Sequence, residues 1–292
     1  MSAAWPPRLR LPGSASAALA GACVRWTLEE LADSQFQRQA LMQVCAQIPQ
    51  LRETLEAART MLRREGAVVV EGAPTHSPAL AVAASAMGVV TADGNGHPQR
   101  LVWDVRPSSG AVVRSQGRDA LPLHTDSTQA EHPHAVLCFG CVEPGQDGDG
   151  LSLLAPASRA VAALHAQNRA REVRLLQDPC FPFANDSADG LPVALRPILR
   201  RTEGDVCVRY HEKIVGWGVK VAPASLDPEH RTALETFQAA LRQPSLATSL
   251  LLRANDFLLF DNHRVMPGRT AIDSTSNRHL KRLKLHDTRK ES

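Results

Sequence analysis

The segment LPLHTDST, residues 121–128, places an imidazole and a carboxylate two positions apart after a pair of alternating apolar residues. Side chains alternate faces along a β-strand, so a strand here predicts that His124 and Asp126 point in the same direction. An imidazole and a carboxylate on one face are two ligands that a single metal ion can share. An H-x-D triplet also occurs by chance in a chain of this size. The surrounding sequence must therefore show whether this triplet is a metal site or a coincidence.

The composition is that of an ordinary soluble globular protein. The chain has 292 residues, of which 43% are hydrophobic and 22% are charged, with a net charge of +3. The basic residues are scattered apart from the tail at 278–290, which argues against a nucleic-acid partner. No apolar run approaches the length needed to span a membrane. We interpret the six cysteines, including Cys138 and Cys141 of CFGC, as reduced core thiols of a cytoplasmic protein.

The order of elements predicts an α+β protein that is mainly β with flanking helices. Residues 1–26 are expected to form a loose N-terminal arm, and 27–64 carry helical spacing divided by Pro49. GAVVVEGAP at 66–74 reads as a buried strand. Short strands follow from about residue 100, among them DVCVRYHEKIVGWGVKV at 205–221, with helical insertions near 157–170 and 227–243. This pattern favours a sandwich or jelly roll with helices outside, in a single domain over 27–292.

A second informative segment lies near the C-terminus, NDFLLFDNHRVMPGRTAIDSTSNRHLKRLKLH at 255–286. An apolar strand runs into Asp261 and Asn262, and the pair Gly268 and Arg269 follows. After a short polar loop comes Arg278. Together with the H-x-D triplet, this order of residues is specific enough to be compared with a known family.

The chain resembles the taurine dioxygenase family of iron(II)- and 2-oxoglutarate-dependent oxygenases, with a layout close to the clavaminate synthase-like and gamma-butyrobetaine hydroxylase-like members. The resemblance covers most of the chain and implies a double-stranded β-helix with a 2-His-1-carboxylate iron site. It implies that His124 and Asp126 are the first two iron ligands. It also implies that Arg278 binds the C5 carboxylate of the cosubstrate 2-oxoglutarate, assisted by the hydroxyl of Ser152.

The sequence departs from this family at the third iron ligand. The histidine that such proteins place about five residues after Asp-Asn corresponds here to Pro267, which has no donor atom. Three readings remain open: His263 substitutes as the ligand, or iron binds through His124, Asp126 and 2-oxoglutarate alone, or the chain is a pseudo-oxygenase that binds a ligand or an active paralogue. A non-redox metal-binding module of the cupin type is a fourth, and it too lacks a third donor.

We therefore expect an oxygenase-type protein with an atypical metal site that acts on a small molecule. With four tryptophans and one tyrosine, the chain has few side chains that could form an aromatic cage around a quaternary ammonium. This favours an amino acid or related metabolite as the substrate. We expect that substrate to be hydroxylated or desaturated. Candidate substrate contacts are Arg269, Arg114 and Arg209. A homo-oligomer is a further possible assembly.

Overall fold

The computed structural model describes residues 4–92, 100–108, 114–146, 148–184, 193–202 and 204–287. The helices are α1 (Gly13–Cys23), α2 (Ser34–Gln47), α3 (Pro49–Glu65), α4 (Ser77–Ala84), α5 (Ala157–Ala166), α6 (Ala170–Leu175), α7 (Glu212–Val221) and α8 (Pro228–Leu241). The strands are β1 (Arg8–Arg10), β2 (Ala67–Glu71), β3 (Val89–Thr91), β4 (Trp103–Val105), β5 (Val136–Glu143), β6 (Ser152–Pro156), β7 (Phe181–Phe183), β8 (Ala194–Arg196), β9 (Leu199–Thr202), β10 (Asp205–Val208), β11 (Thr248–Leu250), β12 (Phe257–Asp261), β13 (Val265–Arg269) and β14 (His279–His286). The protein is thus of mixed α+β class, as the sequence predicts.

Strands from two of the sheets line a common cavity. The larger sheet has the order β1-β2-β12-β5-β14-β3, with β4 also paired to β14. The smaller sheet has the order β11-β6-β13. Two further antiparallel pairs, β7 with β8 and β9 with β10, lie outside these sheets. Within the described ranges the sheets do not join into a closed barrel.

The larger sheet is buried on both faces, which explains its continuous apolar strands. Val68 and Val70 of β2 belong to the hydrophobic cluster that the N-terminal helices cover. Val69, between them, belongs to a second cluster on the opposite face, with Phe260 of β12. Because side chains alternate along a strand, a run such as AVVV serves two cores at once. This explains why the prediction of a buried strand in 66–74 is confirmed.

The N-terminal helices start and stop where their caps require. The Asp33 side chain accepts a hydrogen bond from the Phe36 N–H at 2.7 Å and so begins α2. Pro49 occupies the first turn of α3, where a missing N–H costs nothing. Gly66 ends α3 with a φ of 77°, a left-handed conformation that favours glycine. The division of 27–64 by Pro49 is therefore confirmed.

The N-terminal segment is not a loose arm over the part that the structure describes. β1 pairs in parallel with β2, and Leu19 and Cys23 of α1 are fully buried in the helical core. The small residues of 13–23 give no clear amphipathic pattern, but the alanines among them favour a helix, and α1 packs against α4 in the core. The expectation for residues 1–26 is corrected accordingly.

Two stretches read as strands adopt other conformations. The strand expected to run from residue 205 to 221 ends at Val208, and α7 follows from Glu212. The helix packs closely on β7, because a Cβ at Gly218 would meet the Pro182 carbonyl oxygen. The segment 121–128 is extended only at its start, where Leu121 forms an isolated bridge with Arg269. Turn residues such as Ser127, with a φ of 59°, end the extended run.

The state of the cysteines matches the prediction of reduced thiols. The six thiols are free, and Cys138 and Cys141 are completely buried. Burial raises the pKa of the Cys141 thiol to about 12, which keeps it protonated and unreactive. In the described ranges, no helix has both the length and the apolar character needed to cross a membrane.

Candidate functional site

A cavity of about 190 Å³ lies between the two sheets. Its walls include side chains of β5, β12 and β14 from the larger sheet, and of β6 and β13 from the smaller one. The polar side chains in the wall are Ser115, His124, Asp126, Ser152, His211, Glu212, Arg269, Arg278 and Arg282. Most of the residues singled out from the sequence therefore meet in one place.

His124 and Asp126 face each other at this cavity. The Nε2 atom of His124 lies 3.3 Å from Oδ1 of Asp126. The Nδ1 atom is 2.8 Å from the Pro122 carbonyl oxygen, which can only accept, so Nδ1 carries the proton. In the neutral imidazole the lone pair is then on Nε2, beside the carboxylate. This is the arrangement that a second hydrogen bond gives to a metal-binding histidine.

The other oxygen of Asp126 is paired with two buried cations. Oδ2 lies 3.2 Å from Nη1 of Arg282 and 3.3 Å from Nζ of Lys284. Burial alone would raise the pKa of Asp126, but the positive charges of Lys284 and Arg282 outweigh burial and hold that pKa well below its usual range. The carboxylate is therefore ionised at neutral pH, with Oδ1 directed toward His124.

The Asn262 side chain fixes the backbone of this segment. Its Oδ1 accepts from the Asp126 N–H at 2.9 Å, and its Nδ2 donates to the Asp126 carbonyl at 3.1 Å and to the His134 carbonyl at 2.9 Å. Asn262 is 1% exposed, so these bonds are shielded from water. The Asp-Asn pair at 261–262 thus serves to position Asp126.

Pro267, which the sequence comparison predicts at the position of the family's third iron ligand, lies at the same cavity. Its ring lines the cavity, and its carbonyl oxygen accepts from the His124 N–H at 3.0 Å. In the part of the chain that the structure describes, no three His, Cys, Asp or Glu side chains converge as they stand on a point that could hold a metal ion. His263 is not among the lining residues. It lies in the turn after β12, where its N–H donates to Asp261 and its carbonyl accepts from Val208.

Arg278 and Ser152 form the polar inner part of the cavity. Nη2 of Arg278 donates to Oγ of Ser152 at 3.3 Å, while Nη1 is buried and has no hydrogen-bond partner among the residues that the structure describes. Burial and the nearby Arg269 lower the pKa of Arg278 to about 10, so the guanidinium remains charged at neutral pH. A buried cation with an unused donor on a cavity wall is an anion-binding group.

The three other arginines singled out from the sequence have different positions. Arg269 lines the cavity, but its terminal nitrogens donate to the carbonyls of Ser115, Gly117 and Asp119. Arg209 donates to the carbonyls of Ala130 and Glu131 and is not a lining residue. Arg269 and Arg209 therefore hold loops. Arg114 begins a 3-10 turn, and its side chain lies outside the described part of the structure.

Two side chains at the site, Arg282 and Lys284, were not singled out from the sequence, and a third, His211, was considered only as a possible substrate contact. Arg282 and Lys284 share the parity of Arg278 on β14, so strand alternation alone predicts that they face the same side. His211 immediately precedes α7, and its ring centre is 5.1 Å from that of His124. Because 205–221 was interpreted as one strand, the sequence analysis did not predict that His211 lies at the start of a helix.

Comparisons with known proteins agree with this architecture. Residues 36–284 match the family described as taurine catabolism dioxygenase TauD, TfdA. A uridine-5'-phosphate dioxygenase of Streptomyces sp. is 28% identical over 176 residues, which are 56% of this chain and 62% of that relative. The matched segment therefore spans less than two thirds of that enzyme.

Solved structures share the fold. Asparagine oxygenase in complex with Fe(II), 2S,3S-3-hydroxyasparagine and succinate superposes with a TM-score of 0.76 at 19% identity, over 96% of this chain and 93% of that one. The non-heme iron oxygenase OrfP in complex with Fe and alpha-ketoglutaric acid gives a TM-score of 0.74 at 17% identity, with the same two coverages. The family match over most of the chain, together with this fold, shows that the protein belongs to the TauD/TfdA family of iron- and 2-oxoglutarate-dependent dioxygenases.

Proposed function

We propose that this chain is an iron(II)- and 2-oxoglutarate-dependent oxygenase of a small molecule, with an atypical metal site. The observation that carries the proposal is the environment of Arg278. Its buried guanidinium presents an unused N–H donor at the inner part of a cavity, and Ser152 lies beside it. A carboxylate of 2-oxoglutarate satisfies that donor, and the His124–Asp126 pair lies on the same cavity.

The donor set fits the metal only in part. His124 and Asp126 supply a nitrogen and an oxygen 3.3 Å apart, which suits a divalent transition metal. Pro267 supplies nothing at the place where the family has its third ligand. Bound iron would supply oxygen activation. The chain's own residues would hold the dicarboxylate at Arg278 and Ser152 and keep the site between two apolar sheets.

We propose a substrate that carries an anionic group, such as an amino acid or a small nucleotide. The solved relatives are named for asparagine and arginine derivatives, and the curated relative for uridine monophosphate. The cavity wall includes Arg282 in addition to Arg278, while its acidic members are Asp126 and Glu212. Hydroxylation or desaturation are the reactions we expect. Arg269 and Arg209 act through the loops they hold.

We propose that the two sheets are the faces of a double-stranded β-helix, and that the single domain expected over 27–292 also includes β1 and α1, which pack into its core. The cavity between the sheets supports this arrangement, because its lining comes from strands of both sheets, from β4 to β14. Binding small ligands in the mouth of such a structure is common.

The test is an anaerobic titration of metal-free protein with iron(II) and 2-oxoglutarate, followed by admission of oxygen and an assay for succinate. We expect a visible charge-transfer band that needs both additions, and then succinate. Arg278→Ala should lose 2-oxoglutarate binding. Lys281→Met is the matched control, because Lys281 is a cation of the same strand that contacts Thr75 and Ser77 outside the cavity. Unchanged 2-oxoglutarate affinity in Arg278→Ala would refute the proposal.

A second candidate function is a ligand-binding pseudo-oxygenase, alone or with an active paralogue. It is favoured by Pro267 together with the pairing of Lys284 and Arg282 to Asp126, which neutralises the carboxylate without a metal. This form would bind 2-oxoglutarate without iron and make no succinate. Pro267→His would then create a charge-transfer band that the parent lacks.

A further inference from the structure

The backbone holds His211 next to the two metal-binding candidates. The Thr125 N–H donates to the Tyr210 carbonyl at 2.6 Å, and the Tyr210 N–H donates to Oγ1 of Thr125 at 3.0 Å. Both residues are nearly fully buried. Thr125 is the residue between His124 and Asp126, and Tyr210 directly precedes His211. This double contact fixes the start of α7 against residues 124–126, beside the cavity that His211 lines.

The separation of the two imidazoles suits a shared ion. Nitrogen ligands bind divalent metals at about 2.1 Å, so two imidazoles on one ion have ring centres roughly 4.5 to 5.3 Å apart for angles between about 90° and 109°. The rings of His124 and His211 have centres 5.1 Å apart and planes inclined at 64°. The observed separation therefore lies within the range for two imidazoles that share one ion.

We propose that His211 is the third protein ligand of the metal, in place of the histidine that Pro267 replaces. The proposal rests on the proposed function and deepens it. His124, Asp126 and His211 then form a 2-His-1-carboxylate set whose second histidine comes from the start of α7 rather than from β13. The ion is a divalent transition metal, with iron(II) as the physiological case.

The ion pairs of Asp126 are compatible with this set. Oδ1 faces His124, whereas Oδ2 contacts Arg282 and Lys284. The carboxylate can bind a metal through Oδ1 alone and keep both cations on Oδ2, as outer hydrogen bonds commonly orient metal-binding carboxylates. The change required is a rotation of the His211 side chain, since the three groups do not converge as they stand.

The experiment measures cobalt(II) binding by calorimetry in the presence of 2-oxoglutarate, and counts bound imidazoles by pulsed electron paramagnetic resonance of the copper(II) form. We expect two imidazoles in the parent and one in His211→Ala, with cobalt(II) affinity at least 10-fold lower in the variant. His211→Asn should behave like His211→Ala. His263→Ala and the exposed His165→Ala should match the parent.

A rescue variant separates ligation from a packing effect. His211→Ala combined with Pro267→His should regain two imidazoles and most of the lost affinity, because it returns a nitrogen to the cavity from β13. An imidazole count and affinity that do not change in His211→Ala would overturn the proposal and leave the proposed function standing. A parent protein that binds no divalent metal at all would overturn both.

Discussion

The Nζ atom of Lys284 lies 3.3 Å from Oδ2 of Asp126, so the carboxylate that faces the cavity is already paired with a fixed cation. Lys284 is 4% exposed, which places its positive charge in a poorly screened environment. A divalent ion on the other oxygen of Asp126 therefore enters a site that is partly neutralised. This pairing should weaken metal binding.

We expect Lys284→Met to raise the affinity for iron(II) at least 10-fold. Unit charges 4 Å apart interact by about 4 kcal/mol at an effective dielectric of 20, and about 1.4 kcal/mol corresponds to a factor of ten. Without metal the variant should be about 3 kcal/mol less stable, because Asp126 loses one of its buried partners. Anaerobic titration and chemical denaturation measure the two effects. Lys281→Met is the control for loss of a strand cation, and an affinity that falls in Lys284→Met would contradict the expectation.

We expect Asn262→Ala to lower the free energy of unfolding by about 2 to 4 kcal/mol. The change removes three buried hydrogen bonds to the backbone of Asp126 and His134 and leaves their partners unsatisfied. Metal affinity should fall as well, since Asp126 is no longer positioned. Urea denaturation gives the stability change. Thr60→Ala, at an exposed helix position, should change stability by less than about 0.5 kcal/mol, and an equal loss in both variants would argue against this role of Asn262.

The pair of carboxylates around His230 predicts a pH-dependent stability. Hydrogen bonds to Asp178 and Asp227 raise the pKa of His230, so its contribution is fully present below the unfolded pKa of about 6.5. That contribution is lost as the pH rises through the folded pKa. The difference in melting temperature between the parent and His230→Asn should therefore be largest near pH 6 and shrink toward pH 9. A difference that grows with pH would have the wrong sign.

The sequence predicted the parts of the site that depend on strand alternation and on family resemblance. His124, Asp126, Ser152 and Arg278 meet at one cavity, and the parity of β14 separates His279, which pairs with Asp104, from Arg278. The family resemblance implied that His124, Asp126, Ser152 and Arg278 share one site. The separation of His279 from Arg278, in contrast, follows from the alternation of side chains along one strand.

Tertiary contacts decide the remaining features. The residues of α1 have no clear amphipathic pattern, and no local signal in 13–23 reveals that they pack into the core. The turn between β10 and α7 brings His211 to the site through contacts between Tyr210 and Thr125, residues 85 positions apart. Sequence periodicity cannot predict a contact between residues that lie so far apart in the chain. The pairing of Asp126 with Arg282 and Lys284 likewise depends on β14 lying beside the segment 121–128.

Gly150 shapes the anion site through the space it leaves for Arg278. Its φ is 56°, and a Cβ built at this position would lie 2.6 Å from Cδ of Arg278. Gly150→Ala should therefore displace the guanidinium and weaken 2-oxoglutarate binding at least 10-fold, without removing any group that touches the ligand. Isothermal titration calorimetry measures the change.

Gly148→Ala is the matched control for this variant, because it shares the backbone strain without the clash. Gly148 has a φ of 81° and no atom within 4 Å of an added Cβ. Both substitutions should lower stability by about 1 to 2 kcal/mol, since alanine is strained at positive φ. Only Gly150→Ala should lose affinity for 2-oxoglutarate. Equal affinities in the two variants would mean that Arg278 tolerates displacement, and that the position of its guanidinium does not control the anion site.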